Sequence, residues 1–217
     1  MHGTVVTGLC KAEKHWRHGG LLGTMHGMQN TILRSWRALY RPGLEVLEAQ
    51  RVAHGWRVKS TLVQAGDDAF SVRYDWLLTP DWRSIHLRLT VFGAHDTTVF
   101  IERSGDHSWR VDGNERSDLD GCEEIDISAT PFCNTLALRQ MGEATQRSFT
   151  MLYVPLPSLE LRPFTQSYKS LEPRQWRYSS SGANGEFQAR LTVDEEYLVL
   201  RYEGLFEAVP STRVLAS

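Results

Sequence analysis

Ser84-Ile85-His86-Leu87-Arg88-Leu89-Thr90-Val91 places an apolar residue at every second position, with Ile85, Leu87, Leu89 and Val91 on one side and His86, Arg88 and Thr90 on the other. Successive side chains of a β-strand point to opposite faces, so this order describes a strand with one face buried and one in water. Phe187-Gln188-Ala189-Arg190-Leu191-Thr192-Val193 repeats the pattern, and so does Phe70-Ser71-Val72-Arg73-Tyr74-Asp75-Trp76. Strands of this one-sided kind belong to antiparallel sheets. Turn chemistry lies between them at Ser104-Gly105-Asp106, Asp112-Gly113-Asn114 and Asn184-Gly185, with the longest hairpin tip expected from Gly182 to Gly185.

From Trp36 onward the period of two dominates. Helical signals are few, because no apolar series at i, i+3, i+4 and i+7 carries both an N-cap and a glycine stop. A short helical turn is expected between Leu136 and Gln146. The fold class is therefore all-β. A dozen or so short strands in one domain must close, or nearly close, to protect their edges. That predicts a large antiparallel, strongly curved sheet or incomplete β-barrel with few short helical turns.

The bulk properties set the frame for function. A chain of 217 residues is one domain, and a domain of that size buries about 70% of its unfolded surface without needing disulfides. Residues 1–30 are rich in glycine and histidine without any sustained period, so they are expected to form a poorly ordered tail. Residues 31–217 then form the single β domain. Met25 and Met28 lie inside the tail and offer alternative starts.

A net charge of −2 and a pI near 6.4 provide no electrostatic footprint for nucleic acid or an anionic membrane. Cys10, Cys122 and Cys133 are odd in number and lack C-x-x-C spacing, which points to buried thiols in a reducing compartment. The N-terminus does not order its charge and apolar residues as a secretory signal does, and no stretch approaches the ~20 apolar residues of a membrane helix. A cytoplasmic protein is expected.

No glycine-rich phosphate loop, G-x-S-x-G elbow or H-E-x-x-H motif occurs. His15 and His18 have ligand-like spacing but no third ligand near them, so neither a metal nor a cofactor is expected. The chemistry that remains is concentrated from Gly121 to Arg139, which begins Cys122-Glu123-Glu124-Ile125-Asp126-Ile127, turns at Thr130-Pro131-Phe132-Cys133-Asn134, and ends Leu136-Ala137-Leu138-Arg139.

Glu115, Asp118, Asp120, Glu123, Glu124 and Asp126 form an acidic cluster that reads mainly as a solvated loop. Asp126 differs, because alternation sets it opposite Ile125 and Ile127 on a face that is either solvent or a concave lining. Arg139 follows an apolar run and wants a planar anion. Asp126 or Glu124 supplies one as a structural pair, or a ligand phosphate, carboxylate or sugar hydroxyl does. Asn134 is expected to close an Asx turn, and Trp82 is either core or the floor of a groove.

This segment resembles the putative glycolipid-binding family of bacterial proteins, whose central motif runs "cDiDl..TPFTNtLPIRRL". Asp81-Trp82-Arg83 and Ser108-Trp109 resemble that family's upstream strand entry and hairpin. Thr165-Gln166-Ser167-Tyr168, Arg177-Tyr178, Phe187 and Val193-Asp194 continue the likeness to Tyr202 and Phe206. The resemblance spans about Trp36 to Phe206. Cys133 stands where the family often has Thr, Ala137 where it often has Pro, and Gln140-Met141 where it has Arg-Leu; Glu203 replaces a common Pro. If the second arginine binds an anion, this chain has lost that contact.

The resemblance implies an incomplete barrel or strongly curved sheet around an open apolar cavity, similar in outline to periplasmic lipoprotein carriers. It implies a carrier that binds a glycolipid or lipid-like amphiphile without performing chemistry, covering the acyl chain while polar groups at the rim orient the head. Trp82, Asp126, Asn134, Arg139, Gln166, Tyr168 and Tyr178 are the candidate ligand contacts. Two alternatives stand beside this reading. One is a carbohydrate- or lipid-directed enzyme using Asp126 with a second carboxylate such as Glu124. The other is a protein-interaction module with an exposed aromatic face.

Overall fold

The computed structural model describes residues 31–93, 95–182 and 185–210. The expectations for residues 1–30, including the disordered tail, the alternative starts, Cys10 and the His15–His18 pair, lie outside the described residues, as does the tip at 183–184.

Among the described residues, fifteen strands form one sheet in nearly sequential order. The first half comprises β1 (Thr31–Ala38), β2 (Gly43–Val52), β3 (Gly55–Gln64), β4 (Phe70–Leu78), β5 (Ser84–Phe92), β6 (Thr97–Arg103), β7 (Trp109–Val111) and β8 (Asn114–Glu115). A 3-10 turn at Ser117–Leu119 leads to β9 (Glu124–Ile127) and then to the helix α1 (Phe132–Arg139). The second half comprises β10 (Gln146–Val154), β11 (Arg162–Glu172), β12 (Gln175–Gly182), β13 (Gly185–Val193), β14 (Val199–Tyr202) and β15 (Phe206–Ala208). β1 pairs with β15 and joins the halves, while β8 and β9 are the two free edges. All pairings are antiparallel except β9 with β10. The sheet is open, and both edges are very short strands, which limits the backbone they present for outside pairing.

The alternation read from the sequence is the packing that forms. Val72, Tyr74, Trp76 and Leu78 on β4, and Leu87 and Leu89 on β5, are almost fully buried. One detail of the opening strand differs. Ser84 pairs with Leu78 and His86 with Leu77, so Ile85 is the extra residue of a β-bulge. The bulge leaves Ile85 half-buried and turns Ser84 fully inward. There the Ser84 hydroxyl accepts the indole N–H of Trp76 at 3.0 Å, and its backbone N–H donates to the Glu124 carboxylate at 3.0 Å.

Asp112-Gly113 forms a two-residue hairpin between β7 and β8, with φ of 50° and 81° as a primed turn requires. Gly55 is the glycine with the sharpest steric role. Its φ is 151°, and a Cβ there would lie 1.9 Å from the carbonyl oxygen of Leu78. Gly55→Ala is therefore expected to split the β2–β3 turn from β4 and lower stability by about 2–3 kcal/mol, read as a shifted urea midpoint.

The structure corrects the expected helical turn at Leu136–Gln146. The helix starts at Phe132, and Pro131 is its N-cap residue rather than part of a free bend. The Thr130 hydroxyl accepts the otherwise unpaired N–H of Phe132 at 3.1 Å. Phe132 to Leu138 are all buried. The helix runs inside the curve of the sheet, buried along Phe132–Leu138 on all its faces, and so shows no amphipathic period. Phe132, Cys133 and Leu136 pack into the core built mainly from the first half, while Ala137 and Leu138 pack into that of the second half. The helix thus packs against both halves.

The two ends of the sheet meet through side chains rather than strand pairing. Arg103 at the end of β6 donates to the Ser84 and Glu123 carbonyls and to Glu124 on β9. Trp109 Nε1 donates to the Cys122 carbonyl at 2.9 Å, and the Arg103 guanidinium lies 4.3 Å over the Trp109 ring. Among the described residues, no helix is long and apolar enough to cross a membrane.

Candidate functional site

A half-open cavity of about 420 Å³ lies on the concave face of the second half, beside the start of the helix. Its volume is within the usual range of small-molecule sites. Strand registration explains how distant residues meet there. Asp126, Tyr153 and Arg162 form one row across β9, β10 and β11, and Gln166, Ser180 and Phe187 form another across β11, β12 and β13. Tyr202 and Phe206, from β14 and β15, close the far side.

The cavity has two unlike walls. One is aromatic: Tyr178 contacts Phe187 and Tyr202 at centroid distances of 6.0 and 5.5 Å, and Tyr202 contacts Phe206 at 6.3 Å. The other carries Asp126, Gln166 and Asn134. Gln166 is 2% exposed, yet its Nε2 has no hydrogen-bond partner. A buried donor of this kind costs free energy until something accepts from it. Arg162 and Phe187 are exposed and stand at the mouth, with the Arg162 guanidinium 5.0 Å over the Tyr153 ring.

Asp126 is half-buried on this lining, and burial pushes its carboxyl up from 3.8 to about 7. The Cys133 thiol behind it is pushed well above its ordinary value, again by burial, and its Sγ takes the Ile127 N–H at 3.1 Å. Cys133 is therefore a packed, protonated thiol rather than a nucleophile. Cys122 is also buried and free, pushed up to about 11 by burial.

Of the seven candidate residues, Asp126, Asn134, Gln166 and Tyr178 line this cavity. Tyr168 lies beneath it, fully buried, and donates its hydroxyl to Asn134 Oδ1 at 2.9 Å. Trp82 and Arg139 lie elsewhere, stacked on each other with the guanidinium 4.2 Å from the ring. Trp82 is core, 3% exposed, between Trp56 and Phe132.

Two expected interactions are corrected. Arg139 does not pair with Asp126 or Glu124; it donates to the Glu196 backbone carbonyl and carboxylate at 2.8 and 2.7 Å. The helix carries Arg139 two turns away from Pro131, so chain proximity to Asp126 does not become contact. Asn134 closes no Asx turn, because it lies in the first helical turn, where its N–H and Nδ2 both donate to the Pro131 carbonyl.

The acidic cluster divides along the same lines. Glu115 and Asp118 are exposed and paired with Arg110 and Arg116. Glu124 is fully buried, outside the cavity lining, and takes hydrogen bonds from Arg103, Ser84 and Gln140. Gln140 thus occupies its family arginine position as a structural partner of Glu124, at 3.1 Å, and not as a ligand contact. Sequence reasoning missed Tyr153, Phe164, Ser180 and Tyr202. Their signal was their inward parity on adjacent strands, which becomes legible only once strand order is known.

The fold and site define a class: an open, curved antiparallel sheet wrapped around one buried helix, with a two-walled cavity on its concave face. The family described as "Putative glycolipid-binding" matches residues 34–208, and the chain belongs to that family. A crystal structure of a DUF1089 family protein from Pseudomonas aeruginosa, at 1.80 Å resolution, is similar to it with a TM-score of 0.70 and 25% identity. That similarity covers 91% of this chain and all of the other. No curated protein matches the chain.

Proposed function

We propose that the chain binds and carries a glycolipid or closely similar amphiphile in this cavity without transforming it. The observation that supports this most is the pairing of a continuous aromatic wall with a polar wall whose Gln166 donor is unsatisfied. Family membership points the same way. The buried free thiols of Cys122 and Cys133 support a reducing, cytoplasmic setting.

The test is calorimetric titration of the purified protein with octyl glucoside below its micelle concentration, together with native mass spectrometry of the protein as expressed. Saturable binding at one site is expected. Ser180→Phe, which projects a ring into the cavity from β12, should abolish it while leaving the unfolding midpoint within a few degrees. Undiminished binding by Ser180→Phe, or no amphiphile bound by the wild type, overturns the reading.

One observation favours a second reading, in which Asp126 acts on the bound glycoside. A carboxyl titrating at about 7 is suited to general acid catalysis near neutrality. Glycoside hydrolysis uses a carboxylate pair, whereas Asp126 is the one carboxylate among the described cavity-lining residues and Glu124 is held by Arg103. Turnover of aryl glycosides that disappears in Asp126→Asn would favour hydrolysis over carriage.

A further inference from the structure

We infer that the cavity holds the ligand head first, taking an uncharged sugar between its two walls and leaving the alkyl chain to exit past Phe187 and Arg162. This rests on the binding reading above and reverses the orientation that family resemblance suggests, in which an apolar interior covers the chain and a polar rim orients the head.

The arrangement of burial carries the inference. The unsatisfied polar group is deep, since Gln166 is 2% exposed and its Nε2 has no partner. Asp126 adds an acceptor from the neighbouring row of the lining, and neither arginine nor lysine lies among its hydrogen-bonding partners. A sugar supplies what the lining lacks: a ring or hydroxyl oxygen to accept from the closed-off Gln166 Nε2 once its carboxamide turns toward the cavity, and a hydroxyl to donate to Asp126. An alkyl chain supplies neither, and would leave both groups desolvated.

The facing wall suits the same guest. Tyr178 and Tyr202, each 6% exposed, offer ring faces whose negative polarisation attracts the C–H groups of a sugar. An anionic head is disfavoured there at pH 8, where the Asp126 carboxyl, raised by burial to about 7, is ionised and is the charge it would meet. Arg162, the single cation among the described lining residues, is exposed at the mouth, and Phe187 beside the opening is 40% exposed. The mouth therefore provides apolar surface and a cationic stem for the first part of a departing chain.

The orientation has a signature separate from binding itself. With the chain buried, each added CH₂ strengthens binding by ~0.8 kcal/mol, about fourfold, until the cavity is full. With the head buried, chain length beyond the mouth has little effect while head chemistry decides affinity. Wild-type protein is titrated at pH 8 with hexyl, octyl and decyl glucoside, and with octyl phosphate. We expect the three glucosides to agree within about fourfold, and octyl phosphate to bind at least tenfold more weakly than octyl glucoside.

Gln166→Leu should weaken octyl glucoside at least tenfold. If that variant fails to fold, the wild-type series decides alone. A steep rise with chain length, together with equal or tighter binding of octyl phosphate, overturns the head-first orientation while leaving amphiphile binding intact. No binding by any of the four ligands removes both this inference and the reading it rests on.

Discussion

Asp126→Asn is expected to stabilise the protein above neutral pH and to leave it unchanged under acid conditions. Burial raises the folded-state carboxyl from 3.8 to about 7. A raised carboxyl contributes stability that is fully present below its unfolded pKa and is lost as pH climbs through the folded value. Wild-type stability should therefore fall between about pH 4 and pH 7, as the unfolded state gives up a proton that the folded state retains. At ~1.4 kcal/mol per pKa unit the full shift corresponds to about 4 kcal/mol. The carboxyl is only half-buried, so solvent screening reduces the expected gain to about 2 kcal/mol at pH 8. For a domain of this size that is about 4–8 °C in Tm. Thermal melts of both proteins at pH 4 and pH 8 test this; equal differences at the two pH values, or a less stable variant at pH 8, would refute it.

The second large effect concerns the seam between the sheet's ends. Arg103→Ala removes donors to Ser84, Glu123, Asp106 and Glu124, and the cation over Trp109. It leaves Glu124, whose side chain is fully buried, without its charge partner. Burial already raises the Glu124 carboxyl above its ordinary value, so removing the guanidinium is expected to cost about 3–5 kcal/mol in urea unfolding. Arg103→Ala with Glu124→Gln should be more stable than Arg103→Ala alone, because the unpaired buried charge is gone. A double variant no better than the single one would count against this account of the seam. Since β9 carries both Glu124 and Asp126, the same Arg103 variant should expose the Ile125 and Ile127 amides to faster hydrogen exchange and weaken glucoside binding.

Asp126 was legible as a residue apart from its acidic neighbours, because it sits between two isoleucines in a strand. Its destination was not. Glu124, two residues earlier and of equal parity, is committed to Arg103 through a bulge at Ile85 that no local pattern announces. Arg139 misled for a related reason. Near Asp126 in the chain, it belongs to a helix whose fully buried surface shows no period, and that helix delivers it to Glu196 and Trp82.

By itself, the sequence determined the class of the fold, the parity of its long strands and the family of the chain. Those properties follow from side-chain alternation and from the order of residues within short segments, which are local. Only the tertiary structure decided that the sheet stays open, that a buried helix packs against both its halves, and that Gln166, Asp126, Tyr178 and Tyr202 share one cavity. Strand order and lateral register govern those outcomes, because they bring residues tens of positions apart into adjacent rows. A period of two tells each residue which face it occupies, but not which neighbours it will find there.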